Sequence, residues 1–229
     1  VIVSNATLHN QDEVVRKDIR IGDTVLVQRA GDVIPEVVKV ILEKRASNSS
    51  LFKIPDICPV CQGKVIRMKG EAVHRCRNEQ CNAKVRGCIE HFVSKHCLDI
   101  DGLGIKIVEL LISESLIHDI GDIFLLNQED LSGLERMGDK SAENIITAID
   151  NAKDTTLARF IHGLGIRNVG QNAAKILEKQ FSGNLKKLMN ASIEELTSIH
   201  EVGDIMARSL IEYFNETSNT KIIEKCINA

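Results

Sequence analysis

Four of the seven cysteines are spaced as two close pairs, a pattern with a definite chemical meaning. Cys58 and Cys61 are the ends of the run CPVC, and Cys76 and Cys81 are the ends of the run CRNEQC, so the spacing is C-x2-C-x14-C-x4-C. Two thiolate pairs separated by a short hairpin, here KVIRMKGEAVHR, are typical of tetrahedral zinc sites. Because four protein ligands fill the coordination shell, we expect one structural Zn²⁺ at these cysteines and no catalytic metal.

Other residues of this region compete for the same metal, and the alternative to zinc is four reduced thiols in a small core. A segment of about forty residues this polar is too small to bury such a core. His74, Cys88 and Cys97 are the competing ligands. Cys88 and Cys97 lie in the apolar run GCIEHFVSKHCL and are expected to be core residues instead. His91 and His96 are expected on a helix surface, and Cys226 is expected to be a buried or terminal free thiol.

A glycine recurs at intervals of 34, 32 and 33 residues in the C-terminal part of the chain. Each follows two apolar positions and precedes a small or apolar residue four positions later. A period near 33 indicates a structural repeat, and the ankyrin and tetratricopeptide signatures are absent. The pattern therefore predicts four copies of helix, short glycine turn and helix. The glycines and their partners at +4 are Gly104 with Val108, Gly138 with Ala142, Gly170 with Ala174, and Gly203 with Ala207.

A glycine at a helix entrance leaves backbone N–H groups accessible at the positive end of the helix dipole, which is a favourable place for a phosphate. The alternative is a tight turn that only packs two helices together. The residue two before each glycine is Gly102, Arg136, Asn168 or Glu201. Because a carboxylate is an unfavourable neighbour for a phosphate, the fourth copy is the least suited to bind one.

Residues 1–57 are rich in β-branched residues. A short polar helix with Asn10 as its N-cap is expected before two strands, DTVLVQRAG and EVVKVILEK. Short strands with one small helix fit an oligonucleotide-binding (OB) barrel. In the connecting loop Val33 and Ile34 lie near Arg29, and an exposed apolar pair beside a cation suits a minor-groove contact. The alternative is that the pair caps the barrel core.

Composition excludes several classes of protein. With 43% hydrophobic and 27% charged residues the chain is globular, and with 3% aromatics and no Trp it is not a single-strand binder built on base stacking. Residues 58–97 carry eight basic and three acidic side chains, whereas residues 98–229 carry thirteen and twenty-one. Bulk charge in the C-terminal region therefore does not attract nucleic acid. No membrane span or export signal is apparent, and we expect a cytoplasmic location.

These segments together resemble bacterial NAD-dependent DNA ligases. VSNATLHNQDEV and DIRIGDTVLVQRAGDVIPEVV resemble the family's OB-fold domain, and CPVC with CRNEQC resembles its zinc finger. DIDGLG, LERMGDKSAENI and ARFIHGLGIRNVG resemble its helix-hairpin-helix domain. The resemblance implies a multidomain α+β chain with a partial OB barrel at residues 1–54, lacking its first strand. A four-cysteine zinc finger would follow at residues 55–86, and four all-α helix-hairpin-helix repeats at residues 87–229.

The resemblance also implies the parent reaction, which uses NAD and Mg²⁺ to seal nicks in replication and repair. A lysine takes the adenylate from NAD and passes it to the 5′-phosphate at the nick, and the 3′-hydroxyl then displaces AMP. The family's Lys-x-Asp-Gly motif is absent, since Asp99 stands two before Asp101 in the nearest string. We expect a monomeric, nucleoid-associated fragment without catalytic residues, which binds nicked duplex beside the adenylation domain and is inactive alone. The implied DNA-binding residues are Arg29, Gly31, Asp32, Val33, Ile34, Gly102, Gly104, Lys106, Gly138, Lys140, Arg167, Gly170 and Gly203.

The sequence is also compatible with two other functions. One is a non-catalytic duplex-DNA-binding repair protein that combines zinc and hairpin modules. The other is an RNA-associated zinc-ribbon protein, which would prefer A-form over B-form duplex.

Overall fold

The computed structural model describes residues 2–31, 34–68, 70–135 and 137–229. It divides into two compact units, residues 1–81 with two small antiparallel sheets and residues 82–229, which are helical as expected. The first unit contains α1 (Gln11–Arg16), β1 (Val25–Ala30), β2 (Ile34–Val40), β3 (Val65–Arg67) and β4 (His74–Cys76). The second contains α2 (Asn82–Val93), α3 (Ile105–Ser113), α4 (Gln128–Ser132), α5 (Asp139–Ala152), α6 (Leu157–Gly163), α7 (Gln171–Gln180), α8 (Leu185–Met189), α9 (Ile193–Thr197), α10 (Asp204–Asn215) and α11 (Thr217–Asn228).

In the first unit, the polar helix and the strand pair form where the sequence predicts them. The Asn10 side chain accepts a hydrogen bond from the Glu13 N–H at 3.1 Å and so caps α1. Strands β1 and β2 pair antiparallel, with an irregularity between Leu26 and Val27. The run EVVKVILEK is a strand only as far as Val40, and a 3₁₀ turn follows it. The small core of Val14, Ile19 and Val37 joins α1 to β2.

A network of charged groups closes the loops around this core. The Arg45 guanidinium donates to both Asp18 and Asp23, with 2.9 Å from its Nε to Asp23 Oδ1. The Asp23 side chain is 1% exposed. The hydrogen bonds from Arg45 hold the pKa of Asp23 below its usual range. Buried carboxylates of this kind are stable only with such a partner.

The zinc-module hairpin consists of β3 and β4, which pair antiparallel over three residue pairs. Arg67 on β3 forms a bidentate ion pair with Asp12 on α1, and this contact lowers the pKa of the Asp12 carboxyl. A planar guanidinium matched to a carboxylate restricts the relative orientation of the two groups. The hairpin is therefore attached to the OB part by a specific contact.

The second unit is all helical and has one continuous apolar core. The residues at +4 from the four repeat glycines, Val108, Ala142, Ala174 and Ala207, are each 0% exposed. Their small size lets the paired helices pack closely, as expected from the repeat. Around the four glycines, α2 packs with α3, α4 with α5, α6 with α7, and α9 with α10, and α6 also packs against α2.

Among the described residues, none of the helices combines the length and the apolar character that crossing a membrane requires.

Candidate zinc centre and nucleic-acid interface

The four cysteine thiols come together as the spacing predicts. Their Sγ atoms all lie within 4.8 Å of one another, with 3.4 Å from Cys61 to Cys76 and 4.0 Å from Cys58 to Cys81. A tetrahedral zinc with Zn–S bonds of about 2.3 Å has S···S edges of about 3.8 Å. The arrangement therefore fits a zinc site with four thiolate ligands.

Local backbone geometry prepares these thiols for a metal. Gly63 follows the first pair, and a Cβ there would lie 3.1 Å from Cys61 Sγ and 3.6 Å from Cys76 Sγ, so a side chain would intrude on the cluster. A hydrogen bond to the Gly63 backbone lowers the pKa of Cys61 to about 6, whereas burial raises the pKa of its neighbour Cys76 to about 11. Because the thiolate is the form that binds metal, the Gly63 contact favours ligation by Cys61.

The competing ligands of the sequence analysis lie elsewhere. Among the described residues, the group around the first site contains the four cysteines and not His74. Cys97 is fully buried, as expected, but Cys88 is exposed, so its interpretation as a core residue is wrong. His91 is half-buried against His162, so its interpretation as a surface residue is also wrong. Cys226 is half-buried on α11.

The four glycine turns share one backbone design. A turn hydrogen bond runs from the residue before the glycine to the residue three earlier, at 3.0–3.4 Å in all four copies. Two positions before the glycine, φ is positive at Gly102 (89°), Asn168 (63°) and Glu201 (71°). Arg136, which holds this position in the second copy, lies outside the described residues. The Gly-x-Gly turn of the first copy is thus reproduced by Asn and Glu in the third and fourth.

The repeat glycines themselves are not required by the fold. Gly104, Gly138, Gly170 and Gly203 have φ between −73° and −89°, which any residue adopts. A Cβ built on each would meet nothing within 4 Å. Gly102 is different, since its φ is 89° and a Cβ there would lie 2.7 Å from Ile145 Cγ1. Neither packing nor backbone conformation therefore requires glycine at these four positions.

Apart from α2 and α11, the helices of this unit begin in one of two ways. Four helices begin with a side-chain cap, in which an oxygen accepts from the N–H three residues later. The capped helices are α4 (Asn127), α6 (Thr156), α8 (Asn184) and α9 (Ser192). By contrast, α3, α5, α7 and α10 begin at the repeat glycines, which offer no side-chain oxygen. Their first amide groups are left for water or an external anion.

Charge distinguishes the four glycine turns. Helices α5 and α10 begin with Asp139 and Asp204, whereas α3 and α7 have no acidic residue in their first turn. Lys106 is exposed in the first turn of α3. Lys140, the corresponding residue of α5, pairs with Glu143 at 3.0 Å. The first and third turns therefore have the more favourable field for a phosphate.

In the OB part, Arg29 is exposed on β1 and Ile34 is 58% exposed at the start of β2. Gly31 has φ of 59°, as a tight strand connection requires. The other two loop residues of the prediction, Asp32 and Val33, lie outside the described residues. Leu26, near the other end of β1, is also exposed.

Fold and site together define a modular chain of OB-fold, C4 zinc-finger and helix-hairpin-helix domains. Residues 1–49 match the family model "NAD-dependent DNA ligase OB-fold domain", and residues 58–83 match "NAD-dependent DNA ligase C4 zinc finger domain". Residues 94–151 match "SAM-like Helix-hairpin-helix tandem", and residues 159–223 match "Helix-hairpin-helix motif".

Whole-chain similarity points the same way. The chain is 52% identical over 229 residues to a DNA ligase of Coxiella burnetii (strain CbuK_Q154), covering 100% of this chain and 34% of the relative. It is 50% identical over 225 residues to a DNA ligase of Syntrophus aciditrophicus (strain SB), covering 98% and 33%. The chain thus carries the OB-fold and zinc-finger domains of the NAD-dependent DNA ligase family, and it spans about a third of the length of these curated relatives.

Proposed function

We propose that this chain is the part of an NAD-dependent DNA ligase that holds the duplex around a nick, in replication and repair. The observation that carries the proposal is the contrast between helix starts. Helices that begin at Gly104, Gly138, Gly170 and Gly203 have open amides and no packing reason for glycine, while four neighbouring helices are capped by side chains. Open amides at a helix start bind phosphate without reading base sequence.

The contributions of the four turns differ. The first and third turns supply the main phosphate contacts, supported by Lys106 and by Arg167, which precedes the third turn. The second turn contributes through Lys140 despite Asp139. In the fourth turn Glu201 and Asp204 flank the glycine, so its contribution is the smallest.

The OB part contacts the minor groove beside the nick. Its exposed apolar surface at Ile34 and the cation of Arg29 carry this contact, with Gly31, Asp32 and Val33 in the same loop. The zinc at Cys58, Cys61, Cys76 and Cys81 is structural and keeps the hairpin folded.

The chemical step requires groups that these residues do not include. NAD and Mg²⁺ supply and activate an adenylate that a lysine of a separate adenylation domain carries. Within the 229 residues there is no Lys-x-Asp-Gly string. The chain on its own therefore binds nicked duplex but does not seal it.

Equilibrium binding tests this function. The zinc-loaded chain is titrated against nicked and intact duplexes of one sequence across a salt series. The proposal predicts tighter binding to the nicked duplex, because a broken backbone is more easily distorted, and an affinity that falls steeply with salt. Equal binding to both duplexes, or affinity independent of salt, would contradict it.

A further inference from the structure

A second group of metal-ligating side chains lies inside the helical unit and has no part in the function proposed above. His91 is in the last turn of α2, Cys97 follows that helix, and His162 is in the last turn of α6. One ligand atom from each lies within 4.8 Å of the other two. Cys97 is 0% exposed, and both histidines are half-buried.

Glycines bring the two helices close enough for this cluster to form. A Cβ at Gly163 would lie 3.0 Å from the Phe92 ring, 3.2 Å from Leu98 Cδ1 and 3.4 Å from Cys97 Cβ. Contacts this short are tighter than most Cβ contacts, so glycine is the residue that packs here without displacing its neighbours. The neighbouring His162 is therefore held against α2, where its ring meets that of His91 edge-on at a centroid distance of 4.9 Å.

The distances match those of a tetrahedral site. Cys97 Sγ lies 3.6 Å from His91 Nε2. With Zn–S of about 2.3 Å and Zn–N of about 2.05 Å, a tetrahedral zinc has S···N edges of about 3.6 Å. The third residue is His162, whose Nδ1 is a buried nitrogen that has no hydrogen-bond partner in the described part of the chain and is therefore free to bind a metal.

The tautomer of His162 decides whether Nδ1 can bind a metal. A proton on Nε2 leaves the lone pair of Nδ1 free, and metal-bound histidines commonly hold their second nitrogen in a hydrogen bond.

Metal binding requires one rearrangement at His91. Its Nε2 now lies 2.8 Å from the His162 carbonyl oxygen and donates to it. On binding a divalent ion, the His91 proton moves to Nδ1, and the Cys97 thiol proton is released to solvent. The ion gains one thiolate and two neutral imidazoles, and one proton leaves per metal bound.

From this geometry we propose that His91, Cys97 and His162 form a second metal site, with zinc as its ion and water in the fourth position. One thiolate with two imidazoles is a donor set that suits Zn²⁺ and Co²⁺ and is poor for Mg²⁺ or Ca²⁺. The ion joins α2 to α6.

Cobalt tests the site without disturbing the first one. The chain is prepared with one zinc per molecule, so that the four-cysteine site is filled, and Co²⁺ is then added. We expect one further equivalent to bind, with tetrahedral ligand-field bands and a thiolate-to-cobalt charge-transfer band. Cys97→Ser should remove the charge-transfer band, and His162→Gln should abolish the second equivalent.

The matched control is Cys88→Ser, which removes an exposed thiol of the same helix outside the cluster. It should leave the second equivalent and its spectrum intact. Far-UV circular dichroism shows whether each variant is folded. If Cys97→Ser does not fold, His162→Gln provides the test instead. Saturation at one metal per chain, or a charge-transfer band that persists in folded Cys97→Ser, would overturn the proposal.

Discussion

Replacing Gly170 by serine distinguishes a glycine needed by the fold from a glycine needed by the ligand. Gly170 has φ −85° and ψ 177°, and Ser192, which caps α9, has φ −75° and ψ 165°. The Ser192 side chain accepts from the Glu195 N–H at 3.1 Å. A serine at 170 therefore fits without strain, and its hydroxyl is positioned to accept from the N–H three residues on, at the start of α7.

Gly170→Ser should raise the free energy of unfolding and weaken the affinity for duplex DNA. Losing glycine's freedom in the unfolded chain stabilises a protein by about 0.4–1 kcal/mol, and a serine cap adds a few tenths more. A hydrogen bond to a charged group is worth about 1.5–3 kcal/mol. Occupying the amides should therefore weaken duplex binding by about 10- to 100-fold while unfolding becomes slightly harder.

Urea unfolding and fluorescence anisotropy with nicked duplex measure the two effects. The control is Gly87→Ser, since Gly87 also has open space around it but lies within α2 and away from the turns. If Gly170→Ser binds the duplex as tightly as Gly87→Ser, the amides of α7 do not hold phosphate. If Gly170→Ser unfolds at a markedly lower urea concentration than wild type, the fold requires glycine at this position, and the premise that a serine fits there without strain is wrong.

Three further predictions concern the supporting structure. Gly102→Ala places a Cβ 2.7 Å from an isoleucine at φ 89° and should cost about 1–3 kcal/mol in urea unfolding, whereas Gly104→Ala should change it by less than about 1 kcal/mol. Cys58→Ser should lose the first zinc and make the β3–β4 hairpin sensitive to protease, while the helical far-UV signal persists. Because Arg45 lowers the folded-state pKa of Asp23, their pair stabilises the first unit above pH of about 4, and that stabilisation is lost as pH falls through the lowered pKa. Arg45→Gln should therefore flatten the acid dependence of thermal melting.

Each of these predictions has an outcome that would contradict it. Equal stability of the two alanine variants would show that the turn tolerates a side chain at both glycines. A protease-resistant hairpin in zinc-free Cys58→Ser would mean that the hairpin folds without metal. An unchanged acid dependence in Arg45→Gln would assign the acid transition to other carboxylates.

Local patterns in the sequence predicted most of the architecture. The C-x2-C and C-x4-C pairs are close in sequence, so their meeting depends on one short hairpin. The spacing of the four glycines reports on helix pairs whose core residues, such as Ala142 and Ala174, repeat at a fixed distance from each turn. In both cases the interacting groups are within one supersecondary unit, where periodicity carries the information.

Contacts between distant segments were not predictable in this way. His162 is 71 residues from His91, and nothing in the spacing of the two indicates that α6 packs on α2. Arg45 pairs with Asp23 across 22 residues for the same reason. Cys88 lies in an apolar run but on the outer face of its helix, because the core-facing positions of α2 are Ile89, Phe92 and Val93.

The central claim is that the amides at the glycine turns hold DNA phosphates, and amide chemical shifts test it directly. We would record backbone amide spectra of the zinc-loaded chain with and without nicked duplex. If these amides hold phosphates, the residues that follow Gly104 and Gly170 should show large shifts, those after Gly138 and Gly203 smaller ones, and the capped start of α9 little change. Shifts confined to other surfaces, or equal shifts at the capped and glycine-initiated helices, would contradict it.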